Sequence, residues 1–183
     1  MIGALLRAGL ARFERRWDYD AGHMRRILAA DRSAGLKLAM ATGFLNHDFG
    51  LPAEIAFAAR LRSTRAADCG PCLRLGLAMA AAAGVLPAPL RPALLDAPPP
   101  PHDRSDIALA IRYADAVLAG TADAPDLAAE AAARFGPRGQ AGLAVAVLAG
   151  QTFPLLKRGM GEAASCAPVL QEVAAKEDAH AGF

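Results

Sequence analysis

The chain has 183 residues, a formal charge of +2, and 21 % charged against 54 % hydrophobic residues. That excludes an intrinsically disordered chain and is enough for one domain with a real core. Alanine fills 46 positions while Val, Ile and Thr together fill 15, so the composition predicts an all-α protein and excludes a β-sandwich or barrel.

Residues 2–17 place Leu5, Leu6, Leu10 and Phe13 at helical spacing, with Arg7, Arg12, Arg15 and Arg16 on other faces. This reads as an amphipathic helix, an N-terminal unit of residues 1–20 that packs on its own core or on a neighbouring subunit. Residues 21–160 read as one helical domain. A second helix is predicted over 21–30, and a third from Ser33, taken as its N-cap, to Leu45. Asn46 to Gly50 reads as a loop. Pro52 opens a fourth helix that runs to Ala66, with Glu54 near its positive end. Cys69-Gly70-Pro71-Cys72 breaks the pattern, and a fifth helix follows to Gly84.

Residues 87–102 hold many prolines, among them Pro98 to Pro101, and read as a long loop inside the domain. Asp103 or Ser105 can cap the next helix, which Gly120 ends. Further helices are predicted over 125–135 and 138–152, and Pro154 is expected to start a last short one. The total is about eight helices, followed by a tail over residues 161–183. Helices so rich in alanine bury little area each, which points to a homo-oligomer.

Several partner classes are set aside. Of the 20 basic residues 17 are arginine, and no basic run carries interleaved aromatics, so no nucleic-acid partner is expected. The uncharged run from Gly139 to Leu156 is rich in Ala and Gly and contains Gln140, Gln151 and Pro154. It reads as a buried helix rather than a membrane span. Arg7 and Arg12 interrupt the first apolar stretch as a secretory signal would not. The expected location is cytoplasmic, away from membranes.

The chemistry concentrates at Cys69 and Cys72. Residues i and i+3 at a helix start share a face, so the two sulfurs can reach disulfide distance. A helix N-terminus offers unpaired N–H groups and partial positive charge, which favour the nucleophilic thiolate. A structural zinc site would need about four ligands; no second pair completes one, and Cys166 and His180 are distant in sequence. No metal and no cofactor are expected. The same four residues occur in thioredoxins, where a β-strand precedes them; here the preceding segment is helical.

The run Glu54-Ile55-Ala56-Phe57-Ala58-Ala59-Arg60-Leu61, then Cys69-x-x-Cys72, then Leu77-Ala78-Met79-Ala80 to Gly84-Val85 resembles the AhpD-like alkyl hydroperoxidase / carboxymuconolactone decarboxylase family. The resemblance extends over about residues 20–160. It implies an orthogonal all-α bundle, a homo-oligomer and a redox CxxC. Cys69 and Cys72 would then cycle between dithiol and disulfide, with a hydroperoxide as substrate and a thiol or dithiol as electron donor. Glu54 would assist proton transfer. The family's histidine four residues past the second cysteine is Gly76 here, and Glu54 lies a helical turn farther from the cysteines than the family's glutamate. Asp68, beside Cys69, would disfavour a thiolate unless it faces solvent.

His47, Arg62 and Arg65 are candidates to compensate for the missing histidine, each with a plain surface role as its alternative. His23 and His102 have no nameable partner. Two other functions compete: a catalytically degenerate oligomer that binds a small ligand between apolar helices, and a decarboxylase with Arg62 or Arg65 holding a carboxylate.

Overall fold

The computed structural model describes residues 2–162, and no strand occurs among them. The tail from residue 163, with Cys166 and His180, lies outside the described residues. Eight helices follow the chain's own punctuation: α1 (Ile2–Trp17), α2 (Gly22–Ala30), α3 (Arg32–Leu45), α4 (Ala53–Ala66), α5 (Gly70–Ala82), α6 (Pro87–Leu94), α7 (Asp106–Ala119) and α8 (Ala124–Gly159).

Local chemistry sets most boundaries. The Asp31 carboxylate caps α3, accepting from the amides of Ser33 (2.7 Å) and Ala34 (3.2 Å). The cap is therefore Asp31, two residues before the expected Ser33; its carboxylate takes two of the unpaired N–H groups, Ser33's own among them. Ser105 caps α7 by accepting from Ala108 N at 3.2 Å, and Gly120 ends it in the left-handed conformation.

Two expectations change. The proline-rich stretch contains a helix, α6, because Pro87 takes its first position, where no N–H is needed. The predicted break at Pro154 is also absent, for α8 continues to Gly159. Its only break is Gly136 (φ 72, ψ 170), so the two expected helices meet there at a kink. Pro154 is itself fully buried in the packed interior, and its neighbours keep helical backbone on both sides. The stretch Ala124–Gly159 is long and apolar enough to cross a membrane by length and composition alone, yet half of its apolar window is buried inside the protein.

The hub is α4, which packs against α5, α6, α7 and α8. Its Ile55, Ala58, Ala59 and Leu61 are buried with Ala110, Ile111 and Ala114 of α7 and Leu143 and Val147 of α8. Small residues let these backbones approach closely. A Cβ at Gly150 would lie 2.6 Å from Arg60 O, so α8 rides directly on α4. Two polar bonds lock the crossing: Ser63 Oγ donates to Val147 O (2.7 Å), and Gln151 Nε2 donates to Ser63 O (2.6 Å).

The helix pair α2 and α3 packs beside α8, and α1 lies against both members of the pair. Leu10, Phe13 and Trp17 of α1 pack against a small second core of Tyr19, Ala21, Cys69 and Cys72. The N-terminal helix thus covers the cysteine-bearing end of α5.

Candidate functional site

Asp68 takes a left-handed conformation (φ 49) that turns the chain out of α4 and into α5. Cys69 follows in extended conformation as the N-cap of α5, and Cys72 occupies the third helical position. Both are reduced thiols, with Cys69 fully enclosed and Cys72 9 % exposed. The spacing expected from sequence is realised: both sulfurs belong to the first turn of one helix. Asp68 itself is exposed. Arg158 of α8 reaches across to the carbonyls of Ala67 and Asp68, securing the turn that presents the pair.

The surroundings of Cys72 come from distant parts of the chain. The hydroxyl of Tyr19 stands 3.6 Å from Cys72 Sγ. Lys157 of α8 is buried and places Nζ over the Tyr19 ring, 4.5 Å from its centroid, as a cation–π contact. His23 is fully buried and sits edge-on to both Tyr19 and Phe153. Burial, then the Lys157 charge, lowers its pKa to about 4 from an ordinary 6.5. Glu162 lies 3.8 Å from His23 Nδ1 and also pairs with Arg26, at 3.4 Å. Arg60 of α4 donates to Asn46 Oδ1 at 2.7 Å. Burial lowers its pKa, and attraction to a Cys72 thiolate acts in the opposite direction.

Two hollows flank this cluster. One is an apolar cavity of about 300 Å³ among α1, α2, α3 and α5, with Tyr19 and Arg60 in its wall. The other is a polar cleft of about 640 Å³ that includes Glu14, Asp18, Arg74 and Lys157. Neither sulfur lines either hollow, while Tyr19, whose hydroxyl contacts Cys72, lines both.

The other residues singled out from sequence stand elsewhere. Glu54 is exposed in the first turn of α4, about 18 Å along the helix from its last residue. Among the described residues no hydrogen bond or ion pair joins Glu54 to either cysteine. His47 is exposed and stacks edge-on against Phe49, ring centroids 4.6 Å apart. Arg62 is buried rather than solvated, bound to both oxygens of Asp115 at 2.5 and 2.8 Å. Arg65 pairs with Asp96. Both arginines thus tie α4 to neighbouring segments and are spoken for by carboxylates of their own chain. His102 is exposed. Among the described residues no group of three or more His, Cys, Asp or Glu could hold a metal ion.

Gly76 has a structural reason. It is buried, and a Cβ there would lie 2.9 Å from Cδ2 of Leu61, itself fully buried in α4. The close approach of α5 to α4 leaves no room for an imidazole.

Sequence reasoning missed Tyr19, His23, Arg60 and Lys157. The one available signal was Lys157 itself, a lysine closing an 18-residue uncharged run. No family model, curated protein or solved structure matches this chain.

Proposed function

We propose that the protein is an AhpD-like thiol-dependent peroxidase, or disulfide oxidoreductase, working through Cys69 and Cys72. The observation that carries this reading is the Cys69/Cys72 pair in the first turn of α5, with Cys72 set against the Tyr19 hydroxyl and in the field of Arg60. A helix N-terminus and a cation both favour the thiolate.

Cys72 is the more accessible sulfur and takes the attacking role. Its thiolate attacks a peroxide oxygen: an S–O bond forms, the O–O bond breaks, and the alcohol leaves with one proton. The sulfur is then a sulfenic acid. Cys69 displaces the hydroxyl as water and forms the disulfide. An external dithiol restores both thiols by exchange and leaves as its own disulfide. Tyr19 is placed to pass the proton that the absent histidine would otherwise handle; Glu54 is too far along α4 to do so without rearrangement.

The same reading includes an orthogonal bundle of the AhpD type and a homo-oligomer. Leu36, Met40 and Phe44 support the oligomer: they are exposed and four residues apart, a single apolar stripe along α3.

Replacing Cys69 or Cys72 with serine abolishes dithiol-supported hydroperoxide consumption, and Cys69→Ser traps a sulfenic acid on Cys72 that a dione probe labels. Undiminished consumption in both variants sinks the reading. A second reading, a ligand-binding protein with degenerate catalysis, is favoured by one observation: the apolar cavity behind Tyr19. Two unreactive thiols that never pair would favour it.

A further inference from the structure

Arg60 differs from the other buried arginine chemistry of α4. Arg62 and Arg65 are each matched by a carboxylate. Arg60 is half-buried, and among the described residues no carboxylate pairs with it; its hydrogen bond goes to the neutral Asn46 amide. The anion that acts on it is a Cys72 thiolate, and Cys72 does not line the cavity that Arg60 lines, so the guanidinium can still meet a negative charge placed there.

The place where it sits supplies the rest. Arg60 lines the apolar cavity of about 300 Å³, whose other walls include Leu6, Leu10, Phe13, Leu38, Leu75 and Met79. Two further wall residues are polar and are tied to Arg60: it donates to Asn46, and Asn46 Nδ2 donates to Thr42 O at 2.7 Å. On the α1 side of the lining, Leu5 is 70 % exposed and a Cβ added at Gly9 would meet nothing within 4 Å. A mostly apolar hollow with one cation in its wall matches a molecule with an apolar tail and an anionic head.

We propose that this cavity binds a single-chain amphiphile with a carboxylate head, the carboxylate on Arg60 and the chain along α1 and α5. At about 30 Å³ per heavy atom the volume holds on the order of ten atoms, which selects a medium-chain carboxylate. The site does not depend on redox turnover at Cys72.

The test is calorimetric titration of the full chain with decanoate and, separately, with decanol. Decanoate is expected to bind at least tenfold more tightly. Arg60→Gln removes that preference and leaves decanol affinity unchanged, while Arg60→Lys keeps the charge and retains part of it. Cys72→Ser still binds decanoate, because only the competing thiolate is lost. Gly9→Leu adds a bulky side chain at the cavity wall, where a Cβ has space, and weakens both ligands at least tenfold without lowering the melting temperature. Equal affinity for acid and alcohol, or an Arg60→Gln variant that keeps the preference, overturns the proposal. So does the absence of decanoate binding, including the case in which sedimentation shows a second copy covering the cavity. Because the readout is heat of binding, a failed peroxidase assay leaves this result standing, and the reverse also holds.

Discussion

A histidine at position 76 would have to share space with Leu61, and this decides what the missing family residue means. The site cannot be repaired by restoring it: Gly76→His is expected to destabilise the fold by about 1–3 kcal/mol through overpacking, with no gain in peroxide turnover. Chemical denaturation and a turnover assay on the same preparation check both halves. His23 makes a second prediction at this scale. Its two ring nitrogens are buried without a hydrogen-bond partner, and its pKa falls to about 4 in the fold. The unfolded chain takes up this proton below about 6.5, so between pH 6.5 and 4 it binds more protons than the native state. Stability from this group is therefore whole above pH 6.5 and is lost as pH drops toward 4, by at most about 1.4 kcal/mol per pH unit. His23→Leu should flatten that loss relative to wild type in urea midpoints taken across this pH range. A parallel decline in the two proteins would show that the neutral imidazole does not govern it.

At the scale of elements the crossing of α4 and α8 is the decisive contact. Gly150 permits it, because any side chain there meets Arg60 O and Ser63 within 2.7 Å. Gly150→Ala is expected to lower stability by about 1–3 kcal/mol, although alanine is the better helix former. A melting temperature at or above wild type would mean that the helices can separate at little cost. The crossing also carries the site. Arg60 and Ser63 belong to the same stretch of α4, and Lys157 and Arg158 lie two turns beyond Gly150 on α8. Pushing the helices apart should therefore shift Lys157 from Tyr19 and loosen the turn at Asp68.

For the whole molecule, the covering of the cysteines by α1 and the exposed stripe on α3 matter together. Leu36, Met40 and Phe44 face solvent as one stripe along α3 on a chain of 18.9 kDa. If a second copy covers this stripe, Met40→Glu converts an oligomer into a single chain of that mass in sedimentation at micromolar concentration. A wild-type chain that already sediments as a monomer there removes the oligomer from the functional reading.

Helical class, the boundaries of most helices and the paired cysteines were legible from the sequence, because each depends on neighbours within about four residues. Alanine content, Ser105 before α7, Gly120 after it and the three-residue cysteine spacing are all local signals. The exceptions were also local signals, overruled by packing: Pro87 began a helix where prolines suggested a loop, and Pro154 failed to end one. Nothing local brings Tyr19 to Cys72 across 53 positions, or Lys157 to Tyr19 across a still longer separation. Those contacts exist because α4 packs closely on both α5 and α8, and Leu10, Phe13 and Trp17 of α1 pack against the cluster of Tyr19 and the cysteines. Which polar groups become trapped beside the sulfurs follows from that packing. The sequence by itself determined an all-α chain with a dithiol at a helix start; the tertiary structure alone chose Tyr19, His23, Arg60 and Lys157 as its surroundings and left Glu54 outside them.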